Sequence, residues 1–239
     1  MMRAFLYGIQ LQWKLSLRNK EILLTYYVVP LIFYLFIGGI FTAIIPDAHK
    51  TLIQSMTVFS TTMGGLLGAP APLVEFYGGE IKKSYRAGQV PLWTMAAGNF
   101  ISAFLHLLLV SFIIFFTAPL LFDAAVPADL SSFFLSLMLL IATSLSVGTV
   151  FGLFVKHTSK LGMATQLVFL PSIMLSGIMF SAKLLPQALQ TAGKLLPATW
   201  GYEAMCQGGI ETMIPLYILL SIMLVIILIQ LKRMAQDSF

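Results

Sequence analysis

Charged residues are scarce in this chain. Only 10% of its 239 residues are Asp, Glu, Lys or Arg, whereas 59% are hydrophobic and the mean hydropathy is +0.93. About a quarter of the residues in a soluble domain are charged, and such a domain could not bury this much apolar surface. The composition therefore excludes an ordinary soluble protein and indicates that lipid surrounds much of the chain.

Cysteine and the common catalytic motifs are almost absent as well. The single cysteine, Cys206, excludes an internal disulfide framework and a cysteine-rich metal site. The sequence has no GxxxxGKS or GxxxxGKT phosphate-binding loop, no HExxH and no GxSxG. The net charge of +5 is spread along the chain, so nucleic acid is not a predicted partner. We predict no catalytic residue, cofactor or metal site in this chain.

Six apolar stretches are long enough to cross a bilayer, which takes about 20 residues of helix. They lie at about 22–45, 52–76, 94–121, 131–155, 161–181 and 213–231. The sequence therefore predicts an all-α polytopic membrane protein with six transmembrane helices in a single domain, residues 1–239.

Lysine and arginine are distributed unevenly among the connections between these stretches. Eleven of the 14 lie in the two terminal segments and in the connections after the second and fourth stretches. The remaining connections hold only Lys50, Lys183 and Lys194. Because positive residues are retained on the cytoplasmic side, we expect both termini, and residues 80–93, to be cytoplasmic.

The N-terminal segment alternates apolar and polar residues over 9–18, IQLQWKLSLR, which is the strand pattern. A lone strand beside a membrane would leave its edges unpaired. We therefore predict an amphipathic helix on the inner membrane surface. Gln10, Lys14 and Arg18 would form its basic face toward the headgroups, with Trp13 at the interface.

The connection at 182–212 is too polar to span a membrane, yet it is apolar at intervals. We predict short outer helices there, between the fifth and sixth spans. Their leucines would face lipid or a partner; they are Leu184, Leu185, Leu189, Leu195 and Leu196.

Polar residues within the spans are the candidates for a substrate path. Hydroxyls at the density found in the second span could line such a path, or they could bond their own helix backbone and join helices. His106 in the third span is either a proton relay or substrate contact, or a neutral imidazole bonded to a neighbouring helix. The candidate path residues are Gln54, Thr57, Ser60, Thr61 and His106. Small residues at 64–68, GGLLG, and at Ser144, Gly148 and Gly152 indicate close helix packing instead.

Residues 80–93, EIKKSYRAGQVPLW, interrupt two apolar stretches with a cluster of charge. Gly78 and Gly79 can end the second span, and the pattern predicts a short helix over 80–87 with Glu80 in its first turn. Such a helix would project into the cytosol between two sharp turns. Alternatively, its charges only set the topology. The residues that would form a docking surface are Glu80, Ile81, Lys82, Lys83, Tyr85, Arg86 and Gly88.

Three features together resemble the membrane subunit of ABC-2 type transporters. They are the amphipathic N-terminal helix before the first span, the segment EFYGGEIKKSYRAGQVPLW at 75–93, and KLLPATWGYEAM at 194–205 with Pro197 and Trp200. The resemblance implies that 77–91 is a coupling helix on which a separate ATP-binding cassette ATPase docks. ATP and Mg would be bound by that partner and not by this chain.

The resemblance also implies a second permease chain, identical or homologous, and export of a hydrophobic or amphipathic substrate. Drugs, antimicrobial peptides and lipid-linked molecules are the implied classes. We expect the cytoplasmic membrane of a prokaryote as the location. Two alternatives stay open: a self-sufficient channel or secondary carrier, against which the sparse intramembrane charge counts, and a membrane enzyme or non-catalytic scaffold. The lack of a catalytic cluster counts against an enzyme.

Overall fold

The computed structural model of the chain describes residues 2–45, 47–88 and 90–236, and for residues 2–7, 84 and 86 it describes the backbone alone. Within these residues all regular secondary structure is helical and there is no strand, which confirms the all-α prediction. The helices are α1 (Met2–Arg18), α2 (Lys20–Ile44), α3 (Leu52–Met63), α4 (Pro70–Gly78), α5 (Ile81–Ala87), α6 (Trp93–Phe122), α7 (Leu130–Phe154), α8 (Thr158–Leu175), α9 (Gln187–Gly193), α10 (Pro197–Gln207) and α11 (Ile210–Gln236).

Four of these helices are long and apolar enough to cross a membrane. They are α2, α6, α7 and α11, with lengths of 25, 30, 25 and 27 residues. They correspond to the first, third, fourth and sixth predicted spans, with bounds that differ by a few residues. The chain is therefore a multi-pass membrane protein. Membrane crossing by the second and fifth predicted segments stays a prediction.

The second predicted span is not one regular helix. A five-residue π-helical turn, Gly64–Gly68, separates α3 from α4, and the Ala69 amide donates to the Gly64 carbonyl across 3.0 Å. Pro70 and Pro72 follow directly, and neither has an amide hydrogen to continue the regular ladder. All residues of α3 are buried, so this interrupted segment forms the centre of the bundle.

The fifth predicted span ends earlier than expected. Its helix, α8, runs from Thr158 to Leu175, and the predicted end at 181 is wrong. Residues 176–180 are bent rather than helical, and Gly177 has a φ of 88°, a left-handed conformation that a helix does not continue through.

Successive connections alternate between two ends of the bundle. At the end that we call the far end, the Ala125 amide donates to the His49 carbonyl across 2.9 Å, which joins the connections after α2 and α6. At the other end, which we call the basic end, Gly78 lies against the carbonyl oxygen of Lys156. This arrangement agrees with the predicted order of connections. Which end faces the cytoplasm stays a prediction.

Close packing between α7 and the π-helical turn organises the core. Gly148 lies against the backbone carbonyl of Gly65, and a Cβ atom added to Gly65 would lie 2.7 Å from the Ser144 Cβ. One turn further along α7, a Cβ atom added to Gly152 would lie 2.8 Å from the Leu73 Cβ. Small residues permit this backbone approach, which brings apolar helices together in lipid. The predicted packing role of these two motifs is confirmed.

The Gly148→Ala variant should therefore be destabilised. Its new methyl group would overlap the Gly65 carbonyl, which is backbone and cannot move aside without shifting a helix. We expect a loss of about 1–3 kcal/mol in the free energy of unfolding, seen as a lower midpoint of thermal unfolding in detergent. Gly98→Ala on α6 is the matched control, because an added Cβ there meets nothing within 4 Å. Equal midpoints for the two variants would refute this packing argument.

Candidate functional site

The charged segment at the basic end forms a short helix as predicted, but with one register difference. α5 begins at Ile81, so Glu80 precedes the helix and does not lie in its first turn. The Lys83 amide donates to the Glu80 carbonyl across 2.9 Å, and the Lys83 ammonium lies 2.9 Å from the Glu80 carboxylate. Both side chains are exposed, so this ion pair contributes little to stability.

The segment is fastened to the bundle at both of its ends. The Tyr77 hydroxyl donates to the Leu92 carbonyl across 2.8 Å, which joins the end of α4 to the start of α6. The Tyr85 ring meets the Phe76 ring edge-on, with centroids 4.7 Å apart and an interplanar angle of 81°. Tyr85 therefore packs onto a small apolar cluster made of Leu73, Phe76, Tyr77, Leu92, Ala96, Leu153 and Ile227.

Ile81 and Tyr85, two of the predicted docking residues, lie in different surroundings. Tyr85 is half-buried against Phe76, whereas Ile81 is 55% exposed. Glu80, Lys83 and Gly88 are also exposed, and Lys82 is half-buried. The Arg86 side chain lies outside the described residues. The exposed surface of this segment thus includes charged side chains next to the exposed Ile81, with Val90 and Trp93 exposed further along the chain.

The polar residues of α3 lie in the core of the protomer. Gln54 is 5% exposed, and Thr57, Ser60 and Thr61 are fully buried. The Ser60 hydroxyl donates to the Met56 carbonyl, and the Thr61 hydroxyl donates to the Thr57 carbonyl across 2.8 Å. These two hydroxyls satisfy their own helix backbone, which is one of the two alternatives stated above.

Other polar atoms of the same helix are left without partners. Within the described part of the chain, the Gln54 Oε1, Thr57 Oγ1 and Thr62 Oγ1 atoms are buried and accept or donate no hydrogen bond. An unpaired buried polar atom costs about 1–3 kcal/mol. Gln54 and Thr57 are therefore two members of the predicted path that still have hydrogen-bonding capacity for a ligand or water.

His106 is buried within a cage of aromatic side chains. Its Nδ1 atom lies 2.7 Å from the Tyr27 hydroxyl on α2, and its ring stacks on Trp13 of α1 with centroids 3.8 Å apart and planes 2° apart. The Nε2 atom has no partner in the described residues. His106 thus bonds to a neighbouring helix, as expected for the alternative in which it is a structural imidazole. Through Tyr27 and Trp13 it joins α6 to α2 and α1.

The N-terminal helix is placed differently from the prediction. α1 is helical, and Gln10, Lys14 and Arg18 are exposed together. Trp13, however, stacks on His106 inside the bundle instead of lying at the membrane interface, so that part of the prediction is wrong. The reason is that α1 docks on α6 and covers the His106 ring.

Polar residues that the sequence reasoning did not select support this docking. Gln12 and Ser16 on α1 are buried, and the Gln12 amide donates to the Asn99 Oδ1 atom across 3.5 Å. Asn99 in turn donates to the Ala69 carbonyl across 2.9 Å. This carbonyl follows the π-helical turn, so Asn99 links the interrupted second segment to α1. The sequence signal for this docking was the spacing of Gln12 and Ser16, which lie one helical turn apart on either side of Trp13.

The Leu-Pro-Ala-Thr-Trp sequence closes the turn between α9 and α10. Pro197 is the first residue of α10, the Thr199 hydroxyl donates to the Gly193 carbonyl across 2.7 Å, and the Trp200 indole donates to the Lys194 carbonyl across 2.7 Å. The short helices are confirmed. One side of α10 packs against the bundle, because its Ala198, Gly201 and Ala204 are buried. The exposed leucines Leu184, Leu189 and Leu195 remain available to lipid or a partner.

The Tyr85→Ala variant should loosen α5 without unfolding the bundle. The variant loses the edge-on contact with Phe76, and aromatic pairs of this kind contribute about 0.5–1.5 kcal/mol beyond their burial. We expect trypsin to cleave after Lys82, Lys83 and Arg86 about tenfold faster, measured by mass spectrometry on native protein. Ile81→Ala is the matched control, since Ile81 is exposed. Equal cleavage rates in the two variants would show that Tyr85 does not anchor the segment.

Comparison with known proteins identifies one relationship. A family model described as ABC-2 type transporter matches residues 3–209, which is most of the chain. Comparisons with curated proteins and with solved structures give no match.

Proposed function

The chain belongs to the family of ABC-2 type transporters, and from this premise we propose that it is the permease of an ATP-driven exporter. A membrane component of this family is a permease and not itself an ATPase, and it works with an ATP-binding subunit, typically as a dimer. The chain supplies the membrane-embedded part. Hydrolysis, with its ATP and Mg, belongs to the partner. The match over most of the chain is the observation that carries this conclusion.

The basic end faces the cytoplasm in this proposal, and both termini are cytoplasmic. The excess of lysine and arginine in the connections of that end supports this orientation. The far end, with α9 and α10, then faces the outside of a prokaryotic cell. Export is the direction of transport that the family resemblance implies.

The ATP-binding subunit docks on α5 and the residues next to it. Exposed charges surround the exposed Ile81, so a partner can bury one apolar side chain and pair with Glu80, Lys82, Lys83 and Arg86. The anchoring of Tyr85 supports a mechanical role, because a load on α5 would reach α4 through Phe76. The same apolar cluster contains Ala96 of α6, Leu153 of α7 and Ile227 of α11, so four helices, including α4, would receive the movement.

Two permease chains, identical or homologous, form the path between them. The substrate is hydrophobic or amphipathic, such as a drug, an antimicrobial peptide or a lipid-linked molecule. The apolar character of the helices supports this class of cargo. The unpaired Gln54 Oε1 and Thr57 Oγ1 atoms are candidates for its polar groups if the path opens toward α3.

Charge reversal on α5 should uncouple the permease from its ATPase. In a Lys82→Glu, Lys83→Glu, Arg86→Glu variant, three positive side chains at the docking surface become negative. We expect co-purification with the ATP-binding subunit and substrate-stimulated ATP hydrolysis to fall at least tenfold, since interfacial charge pairs contribute several kcal/mol when buried. Lys183→Glu with Lys194→Glu, at the far end, is the control and should leave both unchanged. Unchanged coupling in the α5 variant would reject this docking site.

Reconstitution separates the exporter from a self-sufficient channel or carrier. Vesicles containing the purified chain alone should show no transport along an ion or substrate gradient, and transport should require the ATP-binding subunit and ATP. Gradient-driven transport by the chain alone would overturn the proposal.

A further inference from the structure

Two buried polar atoms without partners lie on one face of α6, the helix on which α1 docks. Ser102 and His106 are four residues apart, so their side chains are neighbours one helical turn apart. Both residues are fully buried, and the Ser102 Oγ and His106 Nε2 atoms have no hydrogen-bond partner within the described part of the chain. Because a buried polar atom needs a partner, this pair indicates a ligand.

A second buried serine of the same helix does not raise this question. The Ser111 hydroxyl donates to the Leu107 carbonyl across 2.7 Å, which is the usual way in which a serine inside a helix finds a partner. The Ser102 hydroxyl makes no such bond to its own helix. It is therefore available to a group outside the helix backbone.

The rings around His106 are aromatic and uncharged, which restricts the ligand to a neutral molecule. The His106 ring centroid lies 3.8 Å from that of Trp13, 5.5 Å from that of Tyr26 and 5.7 Å from that of Tyr27. The buried residues of the described chain include no Asp, Glu, Lys or Arg. A metal ion or another charged ligand would thus be buried without a counter-charge, which is strongly unfavourable.

The chemistry of the two atoms favours a ligand that both donates and accepts a hydrogen bond. The Tyr27 hydroxyl lies 2.7 Å from the His106 Nδ1 atom. When the tyrosine donates, the neutral imidazole carries its proton on Nε2 and donates there, and when the tyrosine accepts, Nε2 is an acceptor. The Ser102 hydroxyl also serves as donor or acceptor. A water molecule can pair with both atoms in either arrangement.

We propose that the Ser102 Oγ and His106 Nε2 atoms together bind one ordered water molecule near the bilayer centre. Cβ atoms at this spacing are about 5–6 Å apart, a separation that one bridging oxygen can span. His106 is the 14th of the 30 residues of α6, so bulk water does not surround it. A buried water takes about two to four polar partners, and this pair supplies two. The water site does not depend on the transport function.

The water gives every polar residue on this face of α6 a partner. Asn99, Ser102 and His106 are spaced as neighbours along one helix face. Asn99 accepts from Gln12 of α1, and His106 bonds to Tyr27 of α2. The face that α1 covers is thus held by hydrogen bonds from end to end, with the water between Ser102 and His106.

The sign of a stability change distinguishes a bound water from a dry site. Ser102→Ala removes one partner of the water, and we expect the midpoint of thermal unfolding in detergent to fall by about 2–4 °C. In a dry site the same change would remove an unpaired hydroxyl and raise the midpoint. A raised midpoint would overturn the proposal.

The same substitution in a second background ties the effect to His106. In a His106→Phe chain the Nε2 atom is gone, so Ser102→Ala should no longer lower the midpoint. Ser111→Ala is the matched control, because its hydroxyl bonds its own helix, and it should shift the midpoint equally in both backgrounds. An equal fall for Ser102→Ala in both backgrounds would reject a ligand shared by the two residues.

Solid-state NMR in lipid vesicles detects the water in the unaltered site. The chain has three histidines, so in a His49→Gln, His157→Gln variant all imidazole signals come from His106. We expect magnetisation transfer from water to the His106 ring nitrogens, and a loss of this transfer when Ser102→Ala is added. No transfer to His106, under conditions in which the exposed His49 and His157 of the unaltered chain receive it, would overturn the proposal. The measurement needs only the purified chain, so it is independent of the ATP-binding subunit.

Discussion

Backbone contact between Gly65 and Gly148 is the constraint on which the rest of the bundle depends. Lipid provides no hydrophobic force to bring apolar helices together, so packing must come from close fit. The two glycines, with Ser144 and Gly152, let α7 lie directly against the π-helical turn. With that turn fixed, α3 is enclosed on all sides. α4 runs from the turn to the basic end, where α5 follows it.

The interruption between α3 and α4 also explains the polar contacts around it. Pro70 and Pro72 have no amide hydrogen to donate to the carbonyls of Leu66 and Gly68, one turn earlier. A side-chain hydrogen bond lies beside this break. Asn99 donates to the Ala69 carbonyl and accepts from Gln12, which draws α1 into the bundle. The Trp13 and His106 stack completes this docking. The N-terminal helix is thus held by the same irregularity that divides the second segment.

The basic end combines an exposed surface for a partner with attachment to the core. α5 has exposed charges on one side, and on the other side Tyr85 reaches Phe76 of α4. The hydrogen bond from Tyr77 to the Leu92 carbonyl limits the separation of α4 and α6. Side-chain contacts therefore join α5 to α4, and α4 to the start of α6.

The amino-acid sequence by itself determined the membrane class, the all-helical fold, the approximate bounds of α2, α6, α7 and α11, the packing role of the small residues and the existence of the helix at 81–87. Composition and hydrophobic length set these properties locally. Only the tertiary structure decided that Trp13 stacks on His106, that Ile81 and Tyr85 face different surroundings, and that one side of α10 is buried. These depend on which distant helix lies opposite each side chain, and no local pattern encodes that neighbour.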